Sequence, residues 1–165
     1  MPSPSNIEIV LSPTEIRFAA VVAVDRQLDN LKEGRDPEGR PEELGWLRHF
    51  EGACGECAVA QWAGVYWNGN LGKLKAADVG RWEVKATAKH NRRLLVQKPK
   101  LVMERAYILV TGIAPNLVIR GWAWGYEVGQ EKYWDNPVGD RPAYFMPQED
   151  LRPMKKSAKE IVLGG

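Results

Sequence analysis

The residues that could do chemistry are concentrated at positions 78–87, DVGRWEVKAT. Val79-Gly80 reads as a tight turn, and residues 81–87 then alternate with a period of two, the pattern of a β-strand. Successive strand side chains project to opposite sides, so Trp82, Val84 and Ala86 share one face and Arg81, Glu83, Lys85 and Thr87 the other. An acid and a lysine therefore stand side by side on a polar face, with Asp78 across the turn. Two carboxylates and a lysine converging on one point suit metal-assisted hydrolysis of a phosphodiester. The acids hold a hard divalent cation through oxygen, and the cation polarises the phosphate and lowers the pKa of a bound water. The lysine orients that water or offsets charge developing on the phosphate. The competing reading is an exposed hairpin face on which Glu83 and Lys85 are ordinary surface neighbours.

A third acid comes from upstream. Residues 53–66, ACGECAVAQWAGVY, are rich in small side chains, which let a helix pack closely on a sheet, and Glu56 is the only charged residue among them. Ala60 and Ala63 fall on the same helical face as Glu56. An acid isolated on an apolar helix costs free energy unless it is paired or liganded. Glu56 is therefore expected either as a carboxylate of the metal site or at the edge of the packed face.

Other groupings carry weaker signals. Lys89, His90, Arg92, Arg93, Lys98, Lys100 and Arg105 form the densest basic stretch, opposed nearby only by Glu104. A cationic surface there would neutralise phosphates and release counterions; the alternative is a solvated strand edge, where lysines discourage aggregation. His90 is a candidate acid for a leaving oxygen, or a plain surface imidazole. Trp122, Trp124, Tyr126, Tyr133 and Trp134 interleave with Arg120 and Lys132, and the first three share strand parity. They could stack on unpaired bases, or cover the sheet or dock a second subunit. Cys54 and Cys57 form a C-x-x-C, readable as a redox pair or half a zinc site. With no second cysteine pair, only His49 and His90 as histidines, and no strand before the motif, two small buried thiols is the simpler account.

The elements that must position these residues are legible in outline. Residues 1–6 read as a loose tail, and 7–11 as a short strand or lead-in. Ser12, Pro13 and Glu15 form a helix start, with Ser12 as N-cap. That helix is expected over 13–32, with Ile16, Ala20, Val24, Leu28 and Leu31 as its apolar stripe and Gly34 as its stop. Residues 35–43 carry turn chemistry and alternating charge. A second helical region is expected over 44–67, interrupted by Gly45, Gly52 and Gly55, with a hairpin signal at Asn68-Gly69. Strands are expected at 94–96, at 107–111 as a run buried on both faces, and at 117–128 with a break or bulge at Gly121 and Gly125. A long loop at 130–142, a short helix or turn at 147–151 and a basic tail over 155–165 complete the chain. This order gives an α+β fold, or α/β with a mixed sheet, in two or three layers.

An acid in a helix, then Asp, then E-x-K on a strand resembles the PD-(D/E)XK nuclease superfamily, with Glu56, Asp78, Glu83 and Lys85 at the four signature positions. The resemblance covers residues 53–111. With GECAVAQ, DVG, KHNRRLLV, YILVTG and the closing RPAYF and LRPM, the chain is similar to small phage- or prophage-encoded single-domain members. The helical acid resembles the resolvase-like branch. The resemblance implies a restriction-endonuclease-like core, one domain over 1–165 with a mixed central sheet flanked by helices. It implies Asp78, Glu83 and the Val84 carbonyl as ligands of Mg²⁺ or Mn²⁺, Glu56 as an auxiliary ligand, and Lys85 as the residue that positions water. The chain departs from the family in having Ala77 where its name has proline, and in a short Asp78-to-Glu83 spacing that the turn accommodates.

Length and composition are compatible with this reading. At 165 residues the chain is expected to form one domain with a sizeable core. Its 44% hydrophobic and 27% charged residues are those of a soluble globular protein, and a net charge of +2 permits a nucleic-acid partner without requiring one. No apolar run approaches the roughly 20 residues of a membrane span, MPSPSNIE lacks the features of a signal peptide, and two cysteines imply no disulfide framework; a cytoplasmic protein is expected. The leading expectation is a Mg²⁺-dependent endo- or exonuclease acting on DNA, double-stranded or branched, with a homodimer as the other candidate assembly. The alternatives are a nucleic-acid-binding or assembly module on the same fold without turnover, and a thiol-redox protein.

Overall fold

A computed structural model of the chain describes residues 6–34, 42–69 and 78–155, with Glu42 and Glu43 described by backbone alone. The expected tails, most of the loop at 35–43 and the segment 70–77 lie outside the described residues. In chain order the elements are β1 (Ile7–Val10), α1 (Pro13–Lys32), α2 (Glu42–Ala63), β2 (Trp82–Thr87), β3 (Leu94–Val96), β4 (Ala106–Ile113), β5 (Asn116–Trp124), α3 (Gly125–Val128), β6 (Trp134–Asp135) and β7 (Ala143–Met146). Single turns of 3-10 helix lie at Lys98–Lys100, Glu131–Tyr133 and Gln148–Asp150. The fold is α+β.

Helix α1 starts as its sequence demands. The Glu15 amide donates to Ser12 Oγ at 3.1 Å, and the Ser12 amide donates back to Glu15 Oε1 at 2.8 Å. Its buried face differs from the expected stripe: Ala19, Val22, Ala23 and Gln27 are buried, whereas Val24, Leu28 and Leu31 are exposed. Two apolar stripes exist on this helix, and the one with alanines allows the closer approach to α2. Helix α2 starts before residue 44 and stops at Ala63 rather than 67. Gly64 takes φ +70 there, and the amides of Gly64 and Val65 reach back to Gln61 and Ala60, a left-handed glycine closure. Gly52 and Gly55 do not break it.

Strands β1, β5, β4 and β2 form the main sheet in that order, with β2 parallel to β4 and the other pairs antiparallel. Strand β4 is buried on both faces, as its unbroken apolar run requires. Ala106, Ile108 and Val110 join the core beneath the helices, while Tyr107 and Leu109 join a second cluster with Leu94, Val96, Ala123, Val128, Tyr133 and Met146. That cluster lies against the small antiparallel sheet β3-β7-β6. The result is three layers: helices, main sheet, small sheet. Strand β5 carries the expected bulge. Leu109 faces Gly121 and Val110 faces Ile119, so Arg120 is the extra residue. The strand ends at Trp124, and Tyr126 belongs to α3, so the three aromatics at 122, 124 and 126 do not share a strand face. Trp122 instead packs in the core on Trp82, with ring centroids 5.0 Å apart, and Tyr133 is buried, which removes both from any base-stacking surface. Among the described residues no helix is long and apolar enough to cross a membrane.

Candidate functional site

Strand β2 is an edge of the main sheet, and the turn before it folds the chain back along that edge. Val79 and Trp82 exchange two backbone hydrogen bonds, of 3.1 and 2.8 Å, around Gly80 at φ +57. This brings Asp78 alongside the strand, where Asp78 Oδ2 accepts from the Val84 amide at 2.8 Å. The N–H and C=O of one strand residue project to the same edge, so the Val84 carbonyl also lies on the rim beside Asp78.

Two further acids act on Asp78, both through their charge and Glu83 also through a hydrogen bond, without the three closing on one point. Glu56, only 3% exposed, reaches from α2. Glu83 comes from the face of β2 whose neighbours on β4 are Tyr107 and Leu109, the face away from α2. Asp78 sits at the edge between them. Burial, then the charges of Glu56 and Glu83, push its carboxyl up to about 8, and it hydrogen-bonds to Glu83. Two arginines answer the outer acids. Arg26 of α1 holds both Glu56 oxygens, at 2.6 and 2.8 Å, and also donates to the Gly69 carbonyl at 2.8 Å. Burial works against the Arg26 charge, but Glu56 and Asp78 outweigh it and hold the guanidinium above its usual range. Arg105 donates to Glu83 at 2.5 Å. Three acids facing two guanidiniums leave one acid over, and Asp78 is the one that keeps its proton.

Lys85 shares the Glu83 face of β2, and no carboxylate among the described residues takes its ammonium. A cavity of about 330 Å³ opens beside the turn, lined by Gly80, Arg81, Val102, Glu104 and Arg105. Among the described residues no three His, Cys, Asp or Glu side chains close on one point as a metal set, since Glu56 and Glu83 are turned to their arginines. The donors on the rim are nonetheless all oxygen: the Asp78 and Glu83 carboxyls and the Val84 carbonyl. That chemistry fits a hard divalent cation, which on binding would displace the proton shared between neighbouring carboxyls and keep their oxygens as ligands. Glu56 fits less well as a direct ligand, because Arg26 occupies both of its oxygens.

The basic stretch divides. Lys89, His90 and Arg92 are exposed just beyond β2. Arg93, expected there without an opposing acid, pairs with Asp135 at 3.1 Å and lies over the Phe145 ring. Lys98 lies over Trp134, Lys100 is exposed, and Arg105 is committed to Glu83. His90 approaches Thr111, whose strand partner is Thr87, four positions beyond Glu83. That is about 13 Å along the strand, too far to protonate an oxygen leaving the same phosphate. Cys54 and Cys57 are free and packed in the core, and burial pushes their thiols up to about 11 and 12.

Sequence reasoning missed Arg26 and read Arg105 only as part of the basic stretch, not as the partner of Glu83. Arg26 left a signal, standing one helical turn from Val22 on the buried face of α1. Arg105 left none, because its partner is set by tertiary packing. No known protein family, curated protein or solved structure matches the chain.

Proposed function

We propose that the chain is a divalent-metal-dependent nuclease of PD-(D/E)XK type that hydrolyses DNA phosphodiester bonds, working in the cytoplasm. The observation that carries this reading is the Asp78 carboxyl, bound to the Val84 amide on an open strand edge and hydrogen-bonded to Glu83, whose face of the strand also presents an uncommitted lysine. Asp78, Glu83 and the Val84 carbonyl would hold Mg²⁺ or Mn²⁺, which supplies polarisation of the phosphate and a nucleophilic water. With that cation bound, Lys85 would orient the attacking water, whose proton passes to solvent while solvent protonates the leaving oxygen. Arg105 swings between Glu83 and the phosphate, exchanging one anion for another. Glu56, charged and fixed by Arg26, raises the negative field at Asp78 and favours the cation there.

A second reading, a DNA-binding or assembly module without turnover, draws on the two ion pairs that engage Glu56 and Glu83. The test is incubation with plasmid, single-stranded and branched DNA, in Mg²⁺, Mn²⁺ or chelator. Cleavage that needs the metal and falls at least about a hundredfold in Asp78→Ala and Lys85→Ala supports the nuclease. Binding without cleavage, unchanged by either substitution, supports the module.

A further inference from the structure

The polar face of β2 continues past Lys85. Its next residue, Thr87, pairs with Thr111 of β4, and a closed triangle stands over Thr111. Arg120 Nε donates to Thr111 Oγ1 at 2.8 Å, His90 Nδ1 lies 2.9 Å from the same hydroxyl, and Arg120 Nη2 lies 2.8 Å from His90 Nδ1. A guanidinium only donates, so Nδ1 accepts and the ring proton is on Nε2, leaving a second donor in place.

The triangle is built, not incidental. Arg120 is the extra residue of the β5 bulge, a device that re-aims one side chain out of the ladder. The loop carrying His90 is pinned from behind, with Gln148 Nε2 donating to the His90 and Arg92 carbonyls at 2.7 and 2.8 Å. Arg120 is partly buried, yet no acid among the described residues pairs with it, and burial alone lowers its pKa. Taking a guanidinium out of water without a counter-charge is costly. Lys89 and Arg92 are exposed on the same loop as His90, also without acidic partners among the described residues. Thr111 and His90 take Nε and one Nη2 hydrogen and so fix the Arg120 guanidinium; the Nη1 edge that remains, oriented and lacking its anion, is a site for phosphate oxygens.

We propose that Arg120 and His90, with Lys89 and Arg92 of the His90 loop, form a subsite for a backbone phosphate of DNA, a few nucleotides from the phosphate at Asp78 and Glu83. It rests on the nuclease reading only for which phosphate is cut. The bound strand runs along the polar face of β2, from the carboxyls past Lys85 to the triangle.

The test is anisotropy of the full-length protein with a labelled DNA oligonucleotide, in chelator, across a salt series. Arg120→Gln weakens binding about tenfold and flattens the slope of log K against log salt by about one, because one phosphate contact is lost. Arg120→Lys, which keeps the charge, keeps the slope. Should Arg120→Gln fail to fold by circular dichroism, exposed Lys89→Gln and Arg92→Gln carry the same test, each flattening the slope. Absence of DNA binding by the wild type, or slopes unchanged in these variants, overturns the subsite. An Arg120-dependent slope in a protein that never cuts DNA leaves the subsite standing and removes the nuclease. Cleavage with an unchanged Arg120→Gln slope does the reverse.

Discussion

Asp78 carries a proton that an exposed aspartate would have lost, and folding stability should register it. Its carboxyl titrates near 8 in the fold against an ordinary value of 3.8. The folded state therefore binds the proton more tightly than the unfolded chain does. The stability this contributes is fully present below about pH 4 and is lost as pH rises toward 8. In chelator the melting temperature of the wild type should fall across that window. Asp78→Asn should be nearly flat, because its amide both donates to Glu83 and accepts from the Val84 amide; thermal scans across pH in both proteins check this. Added Mg²⁺ should expel close to one proton per site near neutral pH, which calorimetry in two buffers of different ionisation enthalpy measures. At this scale the sequence was legible where the period-two pattern put Glu83 and Lys85 on one face. It was silent on the partner of Arg105, whose approach to Glu83 depends on how the β4 entry loop packs.

Between elements, the site depends on how near α2 lies to β2. Gly55 sits where a Cβ would come within 2.7 Å of the Ala86 Cβ and 3.4 Å of Val84 Cγ1, so the helix touches the strand through bare backbone. Gly55→Ala must push the two apart, at a cost of about 1–3 kcal/mol against a helix-propensity gain of about 1 kcal/mol. Tm should fall by a few degrees, and the proposed cleavage should weaken with it because Glu56 is the next residue. Gly52, with nothing within 4 Å, offers the control: Gly52→Ala should hold or raise Tm, by up to about 1 kcal/mol of stability. Paired thermal scans separate the two. The small residues of α2 announced this close packing, and the unbroken apolar run of β4 announced a strand covered on both sides. Strand β3 was legible at residues 94–96, but the β3-β7-β6 sheet was not, since β6 and β7 are too short to show a period and β3 pairs across some fifty residues (Leu94↔Met146). The stripe of α1 was misread because two apolar stripes compete on it and only packing against α2 chooses.

Across the molecule, the three layers leave β2 as the outer strand of the main sheet, and the candidate site occupies its rim. An outer strand presents backbone groups that invite pairing with a foreign chain. Here one of those groups, the Val84 amide, is already taken by the Asp78 side chain. The carboxyl proposed for chemistry is thus also a plug against self-templating. Asp78→Ala should uncover the amide and scatter more light on storage or mild heating than wild type, whereas Asp78→Asn, still an acceptor, should stay clear. Whether or not the proposed hydrolysis takes place, position 78 is held to an oxygen by the need to remain dispersed.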